Sequence, residues 1–117
     1  MKTDNKILEM SFDFSLQVID LYKKLIKHKE FVLSKQLLRS GTSVGANIEE
    51  AIAAQSRKDF ISKMSISSKE ARETRYWLRL LDKSKLVDTN YSNFLQSIEH
   101  ILTILTKIVK TSHEVNT

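Results

Sequence analysis

The side chains of this sequence best placed to do chemistry are cations that recur between residues 56 and 83. Six of them fall within about a third of a helical circumference, since successive residues of an α-helix are turned by about 100°. These six, called the cationic band below, are Lys58, Lys69, Arg72, Arg75, Arg79 and Lys83, and Tyr76 lies among them. Guanidinium groups bind phosphate oxygens through paired hydrogen bonds, so this spacing predicts a surface for the backbone of a nucleic acid.

Two interpretations of the cationic band stay open at this point. The first is a phosphate-binding surface that does not read base identity. The second is a solvated helix face on which the arginines pair with Glu70 and Glu73 at helical spacing.

The charge balance favours a polyanionic partner. Nineteen Lys and Arg stand against fourteen Asp and Glu, which gives a formal net charge of +5 and a sequence pI near 9.5. Residues 56–83 hold eight cations and four acids, so this segment carries +4 of the total. A basic surface of this kind attracts nucleic acid.

A second set of polar residues precedes the cationic band and keeps its own four-and-three spacing. It consists of Gln36, Ser40, Ser43, Asn47 and Glu50, with Arg39 alongside. Small polar side chains allow another surface to approach closely. We expect either a half-buried face satisfied by water or a packing surface for a neighbouring subunit or ligand.

Apolar residues beyond those of a single core face indicate self-association. Ile66, Tyr76, Trp77 and Leu80 lie off the main apolar stripe of their segment, and Leu95, Leu102 and Val109 flank that of the last segment. Some of them widen the core. An exposed patch centred on Trp77 would be costly in water and predicts contact between copies of the chain.

The sequence lacks the residue patterns of catalysis and metal binding. There is no Cys, and none of His28, His100 and His113 follows a Glu by three residues, the spacing of carboxylate-bridged metals in helical bundles. No Gly-Lys-Ser/Thr follows the glycines to make a phosphate loop. We therefore predict no enzyme, no metal site and no cofactor. An unrecognised enzyme would require a pocket with converging ionisable groups.

The elements that position these residues are helices. The chain has no Pro and two Gly, and its apolar residues recur every three or four positions. The pattern predicts helices over about 4–28, 31–54 and 56–83, and a fourth that follows a cap at Asp88, Thr89 or Asn90 and carries its apolar pattern to Ser112. The polar tail from His113 is expected to fray.

The predicted core residues follow one stripe on each helix. They are Ile7, Ser11, Phe14, Val18, Leu21 and Leu25 in the first helix, Leu33, Leu37, Gly41, Val44, Ile48 and Ala51 in the second, Phe60, Met64, Ser67, Ala71, Thr74, Leu78 and Leu81 in the third, and Phe94, Ile98, Ile101, Leu105 and Ile108 in the fourth.

Three local details complete the helix prediction. The apolar phase continues through Gly41 and Gly45, which predicts a continuous second helix despite poor helix propensity. Ser56, followed three residues later by Asp59, is typical of a helix N-cap. Leu86 and Val87 are expected to fold down as a plug between the third and fourth helices.

Short connections force neighbouring helices to run antiparallel, so the fold class is an all-α, antiparallel up-down four-helix bundle. Residues 1–117 make a single domain of this kind. No run approaches the ~20 apolar residues of a membrane span, and the N-terminus lacks the apolar stretch of a secretory signal. We expect a cytoplasmic protein with no membrane partner.

Several runs of the sequence resemble a known family. They are Gln36 to Ala51, Ser56 to Phe60 and Lys69 to Thr74, and the first contains Arg-Ser-x-x-Ser-x-x-x-Asn-Ile-x-Glu. The chain is similar to the 23S rRNA-intervening sequence proteins, bacterial four-helix bundles with relatives that accompany diversity-generating retroelements. The resemblance implies a homopentameric ring without enzymatic activity. It also implies, through the retroelement relatives, binding to nucleic acid and to a partner such as a reverse transcriptase.

The sequence thus predicts a homo-oligomer, pentameric by resemblance, that presents the cationic band to RNA or DNA. Arg39, Ser43, Asn47, Glu50 and Trp77 are expected to serve packing or the family motif. The alternative is a structural or adaptor oligomer that binds a partner protein and not nucleic acid.

Overall fold

Four helices arranged side by side make up the fold. The computed structural model describes the backbone of residues 2–115 and the side chains of residues 5–114. The helices are α1 (Lys2–Lys27), α2 (Leu33–Ile52), α3 (Arg57–Ser84) and α4 (Ser92–Val115), and residues 2–115 contain no strand. The bundle is a rod of 48 × 21 × 21 Å. The predicted all-α, four-helix class is confirmed.

Each helix packs on two neighbours around the bundle. Contacts join α1 to α2, α2 to α3, α3 to α4 and α4 back to α1, whereas the backbones of α1 and α3 do not come close to each other within residues 2–115. Because the three connections are short, successive helices run antiparallel. Therefore α1 and α3 occupy diagonal corners and run in the same direction.

The core follows the predicted stripes closely. All six predicted positions of α1 are buried, as are Met64, Ala71, Leu78 and Leu81 of α3 and Ile98, Ile101 and Leu105 of α4. Phe60, Phe94 and Ile108 pack against this core but are only half-buried. Phe60 and Phe94 lie in the first turns of α3 and α4, where fewer neighbours cover them.

The second helix is continuous through its glycines, as predicted. A β-carbon at Gly41 would lie 2.9 Å from both γ-carbons of Val18, and one at Gly45 would lie 3.3 Å from the carbonyl oxygen of Ser11. The missing side chains therefore let the backbone of α2 lie directly against α1. The helix is two residues shorter at each end than predicted.

A buried glutamate that the sequence analysis did not single out starts α2. The carboxylate of Glu30 accepts hydrogen bonds from the backbone N–H groups of Val32, Leu33 and Ser34 at 3.1, 3.2 and 2.6 Å. The Ser34 hydroxyl donates in return to the Glu30 carbonyl at 2.7 Å. Val32 makes no side-chain cap itself, so Glu30 satisfies N–H groups that no preceding turn can reach.

The ends of α3 and the start of α4 confirm the predicted caps in part. Ser56 caps α3 as predicted, accepting a hydrogen bond from the N–H of Asp59 at 3.1 Å. Lys85, with a φ of 54°, ends that helix in the left-handed region. Asn90 accepts hydrogen bonds from the N–H and hydroxyl of Ser92 at the start of α4.

The connection between α3 and α4 forms only half of the predicted plug. Val87 is buried, but Leu86 is 59% exposed. Buried Tyr91 donates its hydroxyl to the Val87 carbonyl at 2.7 Å and fixes the connection. Burial raises the pKa of this phenol, and the nearby carboxylates of Asp82, Asp88 and Glu30 act in the same direction.

The end of α4 differs from the prediction. The helix continues to Val115, past the last predicted apolar position at Ser112. Of the expected frayed tail, residues 116 and 117 lie outside the described residues.

We expect Gly45→Leu to lower the free energy of unfolding by roughly 1–3 kcal/mol, because the added side chain meets the backbone of Ser11. The control is Ala46→Leu at the next, exposed position of the same helix, which should change it by less than about 0.5 kcal/mol. Urea denaturation of both variants measures the difference. Equal effects would contradict a close contact between α1 and α2.

We expect Glu30→Ala to lower the free energy of unfolding by about 1–2 kcal/mol, because α2 loses its N-terminal cap. The matched control is Glu49→Ala, which removes an exposed carboxylate from the same helix. Thermal unfolding followed by circular dichroism compares the two. A smaller loss for Glu30→Ala than for Glu49→Ala would show that the cap is not needed.

Candidate nucleic-acid interface

The single helix α3 carries the whole cationic band. Five of its members are exposed: Lys58, Lys69, Arg72, Arg79 and Lys83. Arg75 is half-buried beside α4. A helix of 28 residues is about 42 Å long at ~1.5 Å per residue. The band therefore runs along most of one side of the rod.

The acids of α3 that could neutralise the band face another helix. Arg39 of α2 pairs with Glu70 at 3.0 Å and also with Glu73. Burial acts to lower the pKa of Arg39, but hydrogen bonds and attraction from the two carboxylates outweigh it, and the pKa is raised. The interpretation that arginines of α3 pair with Glu70 and Glu73 is therefore wrong, because both acids pair with Arg39 of α2.

Arg75 is the exception within the band, because it has an acidic partner. Its guanidinium donates to the carboxylate of Glu99 on α4 at 2.7 Å. This pair was not predicted, since it joins residues on two different helices. Within residues 5–114, neither Arg72 nor Arg79 makes an ion pair.

A cation of α4 extends the band on the same side. Arg72 and Lys69 line a shallow groove between α3 and α4, and Lys110 lines it from the other wall. Ser65, Ser68 and Thr106 provide hydroxyl groups along the groove. Lys110 was missed in the sequence because only the packing of α4 on α3 brings it to this surface. The groove thus presents three cations and several hydroxyls to solvent.

One residue of the polar stripe of α2, Ser40, lies at the contact with α3. Ser40 is buried and accepts a hydrogen bond from the hydroxyl of Thr74 at 2.9 Å. Ser43 and Asn47 are half-buried and donate to carbonyls one turn earlier in their own helix. Gln36 and Glu50 are exposed. The stripe therefore has one buried residue, two half-buried residues and two exposed residues.

The prediction that the sequence lacks catalytic patterns needs one correction, because Gly41-Thr42-Ser43-Val44-Gly45 has the Gly-x-Ser-x-Gly spacing of a nucleophile elbow. That elbow requires a sharp turn between a strand and a helix. Here the run lies in the middle of α2, and the Ser43 hydroxyl donates to the carbonyl of Arg39 at 2.7 Å. The geometry is that of helix packing and not of an activated serine.

Trp77 packs against the core, so the condition for a patch centred on it is not met. It is half-buried, and its ring meets that of Tyr76 edge to face with 5.2 Å between the centroids. Its buried indole N–H has no hydrogen-bond partner in the described part of the chain. The exposed apolar residues of α3 are Ile66, Tyr76 and Leu80.

A second concave surface lies at the end of the bundle where α3 begins and α4 ends. Lys6, Arg57 and Lys107 surround an apolar floor of Phe60, Ile104 and Ile108. None of the cationic band lines it. Across the described residues, no three His, Asp or Glu side chains are grouped as metal ligands, and no helix has the length and apolar character needed to cross a membrane.

Two comparisons with known proteins indicate the same kind of family. The model of the family described as 23S rRNA-intervening sequence protein matches residues 3–107. A crystal structure from Bacteroides thetaiotaomicron VPI-5482, described as a protein with unknown function from the S23 ribosomal protein family, is similar to this chain at 46% identity. The TM-score is 0.88, over 92% of this chain and 98% of the other. No curated protein matches the sequence.

Proposed function

The chain belongs to the 23S rRNA-intervening sequence protein family, which confirms the resemblance of its motifs, and from this premise we propose that it binds RNA or DNA. In this proposal it is a cytoplasmic, non-enzymatic homo-oligomer, and the cationic band contacts phosphates without reading bases. Five copies is the number that the family resemblance implies.

One observation carries this proposal, namely the separation of charges around α3. Arg39 holds Glu70 and Glu73 on the α2 side. Arg72 and Arg79, on the α4 side, have no acidic partner among residues 5–114. Arginine in this state offers a planar pair of donors that matches two phosphate oxygens.

Lys110 strengthens the argument because it belongs to a different helix. It faces Arg72 across the groove between α3 and α4. Cations on two walls can contact phosphates on both sides of a backbone that lies in the groove. If several copies form one particle, each further contact forms at a high effective concentration, so weak contacts together give a higher overall affinity.

The test replaces the three arginines of the band, Arg72, Arg75 and Arg79, with Gln. All three lie off the core stripe, so the bundle should stay folded. We expect affinity for duplex or structured RNA to fall by roughly tenfold or more. The slope of log affinity against log salt concentration should become less steep by up to about one for each lost phosphate contact. Filter binding at low and moderate salt measures both.

The matched control replaces Lys27, Lys29 and Lys35 with Gln, which removes the same charge from exposed positions near the connection of α1 and α2. It should keep most of the binding. If both triple variants bind like wild type, or if wild type does not bind at low salt, the nucleic-acid function is wrong. The adaptor function, with a partner protein such as a reverse transcriptase, then takes its place.

A single substitution should act in the opposite direction. Glu99→Gln removes the carboxylate that pairs with Arg75 at 2.7 Å, so it frees that guanidinium and removes a negative charge that would repel phosphates. We expect a rise in affinity of about two- to fivefold at low salt, since an exposed pair of this kind contributes about 0–1 kcal/mol. The rise should shrink when Arg75→Gln is added, because only the loss of the repelling carboxylate then remains. An unchanged affinity in Glu99→Gln would place Arg75 outside the interface.

A further inference from the structure

Three exposed apolar side chains lie at one end of the bundle. Successive helices run antiparallel, so the connection between α1 and α2 and the connection between α3 and α4 are at the same end. A hydrogen bond of 2.7 Å from the Lys24 ammonium to the Thr89 hydroxyl links α1 to the second connection. Phe31 and Val32 of the first connection are 54% and 72% exposed, and Leu86 of the second is 59% exposed. Apolar residues grouped in this way indicate a contact surface.

Hydrogen bonds hold these side chains in an outward position. The Glu30 carboxylate accepts from the backbone N–H groups of Val32 and of the two residues after it, which fixes the connection that contains Phe31. In the other connection, Val87 is buried and its carbonyl accepts a hydrogen bond, while Leu86 beside it stays in solvent. Side chains on a backbone that is already ordered lose less conformational freedom when they bind.

Lysines surround the apolar side chains. The end of the bundle formed by residues 27–35 and 83–91 is called the basic tip below. Its acids are Glu30, which is buried, and Asp88, which is exposed. Just outside it, half-buried Asp82 is outnumbered by exposed Lys23 and Lys24. Five exposed lysines belong to the basic tip: Lys27, Lys29, Lys35, Lys83 and Lys85. Within residues 5–114, none of these five makes an ion pair.

A membrane surface with anionic lipids matches both properties of the basic tip. Apolar side chains enter the boundary of the acyl chains, and lysines keep their ammonium groups at the lipid phosphates. A nucleic acid matches the charge alone, since Val32 and Leu86 are aliphatic and cannot stack on bases as an aromatic ring does. The opposite end of the rod is different, because there Phe60 and Ile104 are half-buried on the floor of a cleft.

We propose that the basic tip docks on the surface of a membrane that contains anionic lipids. The tip is a narrow end of the 48 × 21 × 21 Å rod, so the bundle stands on the membrane. Of the cationic band, only Lys83 belongs to the tip, and Arg72 and Arg79 remain in solution. The expectation of no membrane partner rested on the lack of a spanning segment, which docking at the surface does not require.

The first experiment is sedimentation with vesicles made of equal parts phosphatidylglycerol and phosphatidylcholine. Wild type should bind them and should not bind vesicles of phosphatidylcholine alone, because the lysines require anionic headgroups. Phe31→Ser combined with Leu86→Ser should weaken binding by roughly tenfold or more, because apolar burial is lost. The matched control, Ile52→Ser combined with Ile66→Ser, removes exposed apolar side chains elsewhere and should bind like wild type. Circular dichroism checks that each variant is folded.

The charged residues give a second comparison, which separates this surface from the cationic band. Replacing Lys27, Lys29 and Lys35 with Gln should weaken vesicle binding by roughly tenfold or more. Replacing Arg72 and Arg79 with Gln should keep most of it. For structured RNA we expect the opposite order, because the arginines and not the tip contact that ligand.

A fluorescent side chain reports whether the basic tip enters the lipid. Leu86→Trp is made in a Trp77→Phe background, which loses no hydrogen bond within the described residues because the Trp77 indole N–H has no partner there. Its emission should shift to the blue and be quenched by vesicles with brominated acyl chains. Ile52→Trp in the same background lies at the opposite end of the rod and should not be quenched.

Three results would overturn the docking. They are wild type that does not bind anionic vesicles at low salt, a Phe31→Ser and Leu86→Ser variant that binds like wild type, and equal quenching at positions 52 and 86. A lysine variant that loses RNA binding but keeps vesicle binding would also overturn it, and would make the basic tip a nucleic-acid surface. None of these results decides the test of Arg72, Arg75 and Arg79 in the proposed function.

Discussion

The structure depends first on the direct contact of two backbones where α2 crosses α1. At Gly41 and Gly45 a β-carbon would meet Val18 and Ser11 at 2.9 and 3.3 Å, so only hydrogen fits without displacement. Such close packing brings α2 onto the buried stripe of α1.

On its other side, α2 meets α3 through polar atoms, and this seam orders the surface charge. Ser67 donates to the carbonyl of Val44 at 2.7 Å, and Thr74 donates to Ser40, so α3 is held in one rotation about its axis. That rotation points Glu70 and Glu73 at Arg39 and leaves the arginines on the far side. The polarity of the outer surface therefore follows from hydrogen bonds inside the bundle.

Periodicity located the core stripes and the continuous α2 because burial recurs with the helical repeat, and Ser56 could be recognised because its cap is local. The pairs of Arg39 with Glu70 and of Arg75 with Glu99 could not be predicted, since they join helices whose rotation is set by packing. Glu30 was missed for another reason: it precedes its helix by three residues and caps from within the connection. Lys110 could not be predicted either, because the residues that share its groove, Lys69 and Arg72, are distant in sequence.

The composition of α2 bears on the order in which the bundle folds. Glycines at 41 and 45, and Ser or Thr hydroxyls that bond to carbonyls of their own helix, leave this segment with little tendency to be helical alone. The helix α3 contains no glycine and has its own N-cap at Ser56, so it does not share this low helix propensity. We therefore expect helix formation in α2 to depend on docking onto α1 and α3, and this segment to form late in folding.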